Sequence, residues 1–95
     1  MKTYETTIIF NALLEEPALE EEIAKVDKYL AENAGEVLKQ ERWGSRRMTY
    51  EIKKKTHGFY VHWVYSAKPE VSLKLEEGLR INENALRYLT VLQGT

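Results

Sequence analysis

Seven consecutive residues, Phe59-Tyr60-Val61-His62-Trp63-Val64-Tyr65, are aromatic or β-branched throughout, and no other stretch limits the fold as strongly. Such side chains suit a pleated, packed surface. A run with no polar alternation predicts a central strand with little solvent contact on either face. The segment before it, Lys53-Lys54-Lys55-Thr56-His57-Gly58, is polar and ends in glycine, so it reads as the turn of a hairpin. The other strand of that hairpin is sought in residues 36–52, where Met48, Tyr50 and Ile52 alternate with polar neighbours. Gly44 interrupts that segment and marks a bulge, in one long, bent strand or between two strands in line.

The flanking segments complete the pattern. Tyr4, Thr6, Ile8 and Phe10 alternate with Glu5, Thr7 and Ile9, which predicts a first strand with one buried face. Pro17 follows Glu15-Glu16, and proline is tolerated in a first helical turn because its missing N–H has no partner there anyway. Leu19, Ile23, Val26 and Leu30 then recur at helical spacing and form one apolar stripe. Gly35 is placed to end this helix as a left-handed cap. Glu20, Glu21 and Glu22 are expected on a solvated surface that favours the helix dipole. A second helix opens at Lys68-Pro69-Glu70, with Val71, Leu75 and Leu79 as its stripe, and gives way to a polar connection at Arg80-Ile81-Asn82-Glu83-Asn84. Residues 85–92 read as the last strand.

The order β-α-β-β-α-β is that of the ferredoxin-like, split β-α-β arrangement, an α+β class. It predicts a four-stranded antiparallel sheet with two helices on one face and the other face open. At 95 residues the chain is expected to be a single domain over 1–95. No apolar stretch approaches a membrane span, and Met1-Lys2-Thr3-Tyr4-Glu5 is unlike a signal peptide, so a cytoplasmic protein free of membranes is expected.

Enzymatic constellations are not evident. The chain has no cysteine, hence no thiolate nucleophile or thiolate metal site. It has no glycine-rich phosphate loop and no nucleophile elbow. His57 and His62 sit five apart across a hairpin end, a poor arrangement for shared metal ligation. No cofactor, metal or catalytic residue is therefore expected. Charge is more informative. The net charge is −1, but residues 15–41 hold nine acids against three lysines, while residues 42–57 hold six basic residues against one acid. Such polarity fits a charged partner on one side of the molecule. Arg46, Arg47, Lys53 and Lys54 flank one strand and can meet phosphates. Tyr60, Trp63, Tyr65 and Tyr88 are candidates for stacking on unpaired bases, although Tyr60 and Tyr65 are also wanted for the core. The glycine- and aromatic-rich signature of an RNA-recognition motif is missing.

In order and spacing, the chain resembles the family of ribosomal protein six of the bacterial small subunit. The matching pieces begin with Tyr4-Glu5, Ile8, Asn11 and Leu14, and continue with Gly44-x-Arg46-Arg47-x-x-Tyr50-x-Ile52-x-Lys54. Gly58 with its aromatic strand follows, then Leu79-Arg80-Ile81-x-x-Asn84 and Arg87. Members commonly have Tyr-Pro-Ile where this chain has Tyr50-Glu51-Ile52, and many carry a longer polar C-terminal tail. The resemblance implies a non-enzymatic, RNA-binding component of the ribonucleoprotein. Its partners would be the central domain of small-subunit ribosomal RNA and small-subunit ribosomal protein eighteen, and the free protein would be a monomer. It also implies Lys2, Arg46, Arg47, Lys54, Arg80 and Arg87, beside Lys53 of the basic run, as the RNA- and partner-binding residues. The alternative from the fold alone is a homodimeric, ligand-sensing ferredoxin-like domain.

Overall fold

The structure, a computed structural model, describes residues 1–93; Gly94 and Thr95 lie outside the described residues. The elements are β1 (Lys2–Asn11), α1 (Glu16–Asn33), β2 (Glu36–Ile52), β3 (Lys55–Ala67), α2 (Pro69–Ile81) and β4 (Ala85–Leu92). They form a sheet in the order β2-β3-β1-β4, and every neighbouring pair is antiparallel. The aromatic run accordingly lies in an inner strand, and the fold is ferredoxin-like α+β.

Register explains which side chains meet. β1 and β3 place Thr6 opposite Trp63, Ile8 opposite Val61 and Phe10 opposite Phe59. All face the helices, because opposed residues share a face of the sheet. Ile8, Phe10, Val61, Trp63 and Tyr65 are fully buried there, against Ile23 and Leu30 of α1 and Leu75 and Leu79 of α2. Each such side chain contributes about 1.5–3 kcal/mol on burial. Val71 is only half-buried and packs at the margin.

Among the described residues the buried polar side-chain groups of this core are all partnered, as burial demands. The Tyr65 hydroxyl lies 2.9 Å from Thr6 Oγ1 and 2.8 Å from Ser72 Oγ. Thr6 Oγ1 also meets Thr90 Oγ1 at 2.9 Å, so one hydroxyl chain ties β4, β1, β3 and α2 together. The Trp63 indole N–H donates to Asp27 at 2.8 Å.

Some local expectations are corrected. Gly35 is not a left-handed cap: α1 ends on Ala34 in extended backbone, and the chain turns directly into β2. Gly35 instead donates its N–H to Ser66 O at 2.8 Å, and a Cβ there would fall 2.3 Å from Met1 Sδ. The hairpin turn is shorter than the polar run suggested. Ile52 pairs with Lys55, so only Lys53 and Lys54 form the loop and Gly58 belongs to β3. Gly58 has a packing role, since a Cβ there would lie 2.1 Å from Ile9 Cγ2. Helix α2 continues through Arg80 and Ile81 before the connection begins.

The two edges of the sheet differ. β2 is long, charged and broken at Gly44, whose φ of 87° and register shift make the predicted bulge. β4 is short, carries Arg87 as its one charge, and exposes Leu89, Val91 and Leu92.

Candidate nucleic-acid interface

The acidic helix α1 does not behave as one solvated face. Glu22 is buried, and its two carboxylate oxygens accept hydrogen bonds from Asn82 Nδ2 at 3.0 Å and Asn84 Nδ2 at 2.8 Å. Lys25 approaches it at 3.4 Å. Burial pushes this carboxyl up, but the bonds from Asn84 and Asn82 and the Lys25 charge outweigh it, holding the group below its ordinary value of 4.5. Glu20 pairs with Arg42 across to β2, and this bond holds the guanidinium above its usual range. Only Glu21 of the three is exposed. The acid in the first turn, where the dipole acts, is Glu16.

This removes Arg42 from the basic cluster. It also anchors the first half of β2, where Gln40 Nε2 donates to both Asp27 oxygens at 2.9 and 3.0 Å. Lys39 pairs with Glu41 at 3.3 Å. Among the described residues, no ion pair involves Arg46, Arg47, Lys53, Lys54 or Lys55.

The seven basic candidates fall into separate places. Lys53 and Lys54 form the hairpin tip, and Arg47 lies near it, opposite His57. Arg46 sits over the open sheet face, with its guanidinium carbon 5.5 Å from the centroid of the Trp43 ring. Trp43 in turn stacks on His62, centroids 5.0 Å apart and planes 14° apart. His62 is held by Glu5 Oε1 at 3.0 Å and Thr7 Oγ1 at 2.8 Å. Arg87 lies on the same open face, in a groove of about 180 Å³ with Ile9, Met48, Tyr50 and Tyr60. Arg80 is elsewhere, on α2 beside Glu76, Glu77 and Tyr88. Lys2 pairs with Ala67 at the end of β1 remote from the hairpin tip, with the full ten-residue strand, roughly 30 Å, and the hairpin's overhang between them.

Of the stacking candidates, Trp63 and Tyr65 are fully buried and Tyr88 packs against the core from the helix side. Tyr60 alone faces the open side. The exposed aromatics are Trp43 and Tyr50, neither of them among the stacking candidates, although alternation marks Tyr50 beside Met48 and Ile52. The bulge at Gly44 resets the alternation of β2, and that glycine was the available signal. Met48 is buried although β2 is an edge strand, because it packs near Gly58 on the open face. Beyond Arg47 the register of β2 shifts by several residues before Ile52, which gives the strand the slack to fold over that face. Leu89 and Val91 complete an exposed apolar stripe there.

Among the described residues no cluster of histidines and carboxylates could hold a metal, and no helix is long and apolar enough to cross a membrane. The sequence profile of the family described as ribosomal protein S6 matches residues 3–92. A small ribosomal subunit protein bS6 from Nostoc is 40% identical over 90 residues, covering 95% of this chain and 83% of that protein. Its counterpart from Heliobacterium modesticaldum is 35% identical over 91 residues, covering 96% and 95%. The crystal structure of 30S ribosomal protein S6 from Thermotoga maritima superposes with a TM-score of 0.90 at 27% identity, covering 97% of this chain and 87% of that one. The profile match spans nearly the whole sequence and the relatives at 35–40% identity are covered over most of their length, so the chain belongs to the ribosomal protein S6 family, a structural, non-enzymatic family of the bacterial small ribosomal subunit.

Proposed function

We propose that the protein binds the central domain of small-subunit ribosomal RNA together with small-subunit ribosomal protein eighteen, as a cytoplasmic single domain that is monomeric when free. The observation that carries this reading is the composition of the open face and the adjoining tip. Trp43, Tyr60, Leu89 and Val91, with Arg46 and Arg87, make a patch of aromatic, apolar and arginine groups, the mixture enriched at protein interfaces. Among the described residues the lysines at the tip have no ion partner, and they suit phosphates. The isolated chain offers few such contacts and is slightly negative overall, so RNA affinity depends on the joint surface of the pair. Filter binding to a central-domain transcript is expected to be weak for the lone chain and much tighter with protein eighteen present. Tight, sequence-specific binding by the lone chain would sink the co-binding account. The same apolar stripe also favours a second reading, a homodimer joined through its sheets, which gel filtration separates: a monomeric elution excludes it.

A further inference from the structure

We infer that the tip of the β2–β3 hairpin and the turn after β1 together form a binding site for the phosphodiester backbone of RNA. This deepens the ribosomal reading and rests on it for the identity of the RNA. The pairing of β3 with β1 ends at Gly58 opposite Asn11, so Lys55, Thr56 and His57 extend past the body of the sheet, about 10 Å at strand rise. At the end of this overhang Lys53 and Lys54 have φ of 52° and 63°. Two successive left-handed residues make the tight hairpin loop that asparagine and glycine adopt readily and that lysine adopts at a cost. The loop thus holds two lysines where the backbone alone would favour other residues, an observation that directs attention to their side chains.

Between this tip and the β1–α1 turn lies a groove of about 160 Å³, lined by Ala12, Leu13, Lys54, Lys55, Thr56 and His57. It presents two ammonium groups, a hydroxyl and an imidazole, with no carboxylate among the described residues of the lining. Thr56 Oγ1 meets His57 Nδ1 at 3.1 Å, which leaves the other ring nitrogen of His57 for a ligand. Leu13, 75% exposed, adds an apolar surface of the kind a ribose or base can cover. Lysines are point charges without the fork that matches one planar carboxylate. Three in succession are best served by a ligand carrying a regular series of charges, as a nucleic-acid strand does. The site adds Lys55, Thr56 and His57 to the interface and leaves Arg46, Arg87, Arg80 and Lys2 outside it.

The test uses Lys53→Asn/Lys54→Gly, which keeps the turn and removes its charges. Because the new residues accept the left-handed backbone, the variant is expected to melt several degrees higher than the parent. Its binding to the central-domain transcript with protein eighteen should weaken tenfold or more, and the slope of log affinity against log salt should flatten by about 1.4–1.8 for two lost phosphate contacts. A variant that keeps the parent's affinity and slope overturns the site while leaving the ribosomal reading standing. Failure of the parent itself to bind the transcript with protein eighteen counts against the ribosomal reading instead. In that event an NMR titration of the lone chain with a uridine octanucleotide decides the site separately. Amide shifts confined to Ala12, Leu13 and residues 53–57 support it, and shifts elsewhere, or none, refute it. An octaglutamate that moves the same amides at the same concentration makes the tip an acidic-peptide site and refutes the assignment to RNA.

Discussion

Both halves of β2 are rich in charge, but the first, residues 36–42, spends its polar groups on the protein itself. Gln40 reaches Asp27, Arg42 reaches Glu20, and Lys39 pairs with Glu41. Past Gly44 the arrangement changes: Arg46 and Arg47, like the lysines of the turn, have no ion partner among the described residues. The first half lies beside α1, whose side chains can answer it. The second runs toward the overhang, past the last pairing of β3 with β1 at Gly58. Position relative to α1, rather than residue type, separates the arginine that fastens the edge strand from those available to a ligand. A charge count over residues 42–57 cannot make that distinction, because it adds Arg42 to a cluster it does not join.

The contrast can be tested from its strongest side first. Asp27→Ala removes the acceptor shared by the Trp63 indole and Gln40, and Trp63 is fully buried. Stranding that N–H should cost about 1–3 kcal/mol in denaturant unfolding. A loss under roughly 0.5 kcal/mol would mean that the first half of β2 is not anchored as described. Next in size is Glu22, another acid of α1 turned to internal use. Its pKa is held below 4.5 in the folded protein, so its stabilising contribution is complete above the unfolded value and is lost as pH falls through the lower, folded one. Glu22→Gln should therefore destabilise by about 1 kcal/mol near neutrality and flatten the fall of stability below pH 4.5. An unchanged acid limb in thermal melts across that range would contradict this. The smallest effect belongs to the second half of β2. Arg47→Ala should change stability by no more than about 0.5 kcal/mol, and adding Arg46→Ala costs at most about 0.5–1 kcal/mol for the contact over Trp43. Assembly onto RNA with protein eighteen should nonetheless weaken. If the double variant unfolds instead, these arginines are structural and the contrast fails.

Much of the architecture could be read from periodicity, since alternation in β1 and the four-residue spacing in α1 and α2 follow directly from which side chains must be buried together. What escaped was set by long-range partners or by backbone states that composition does not mark. Glu22 looks like a surface acid in its run of three; its donors Asn82 and Asn84 lie about sixty residues further along the chain. Gly35 sits in a helix-ending position but answers to Ser66 and Met1. The Lys53-Lys54 loop lacks the asparagine–glycine pair that announces a two-residue turn, so the polar run read as longer than it is. In the candidate interface, the basic residues were visible as types, but their division among tip, open face and α2 required the fold. Trp43 was hidden by the bulge in β2, and the register shift after Arg47 accompanies the parting of Tyr50, exposed, from buried Met48, with which alternation groups it.

The sparse charge of β4, Arg87 alone, bears on how the unassembled protein behaves at high concentration. Edge strands of monomers are usually blunted by charge, proline or bulges, since free backbone groups recruit other strands. β2 has two of these protections, whereas β4 has a register shift only at its start, opposite Ile9 and Phe10, and beyond it offers Leu89, Val91 and Leu92 with Arg87 as its one charge. While unassembled, each molecule carries an edge able to add to a neighbour's, and self-association grows with the concentration of the unassembled pool. Synthesis in step with the rest of the particle would keep that pool small, and on this argument would favour the solubility of the chain as well as its assembly.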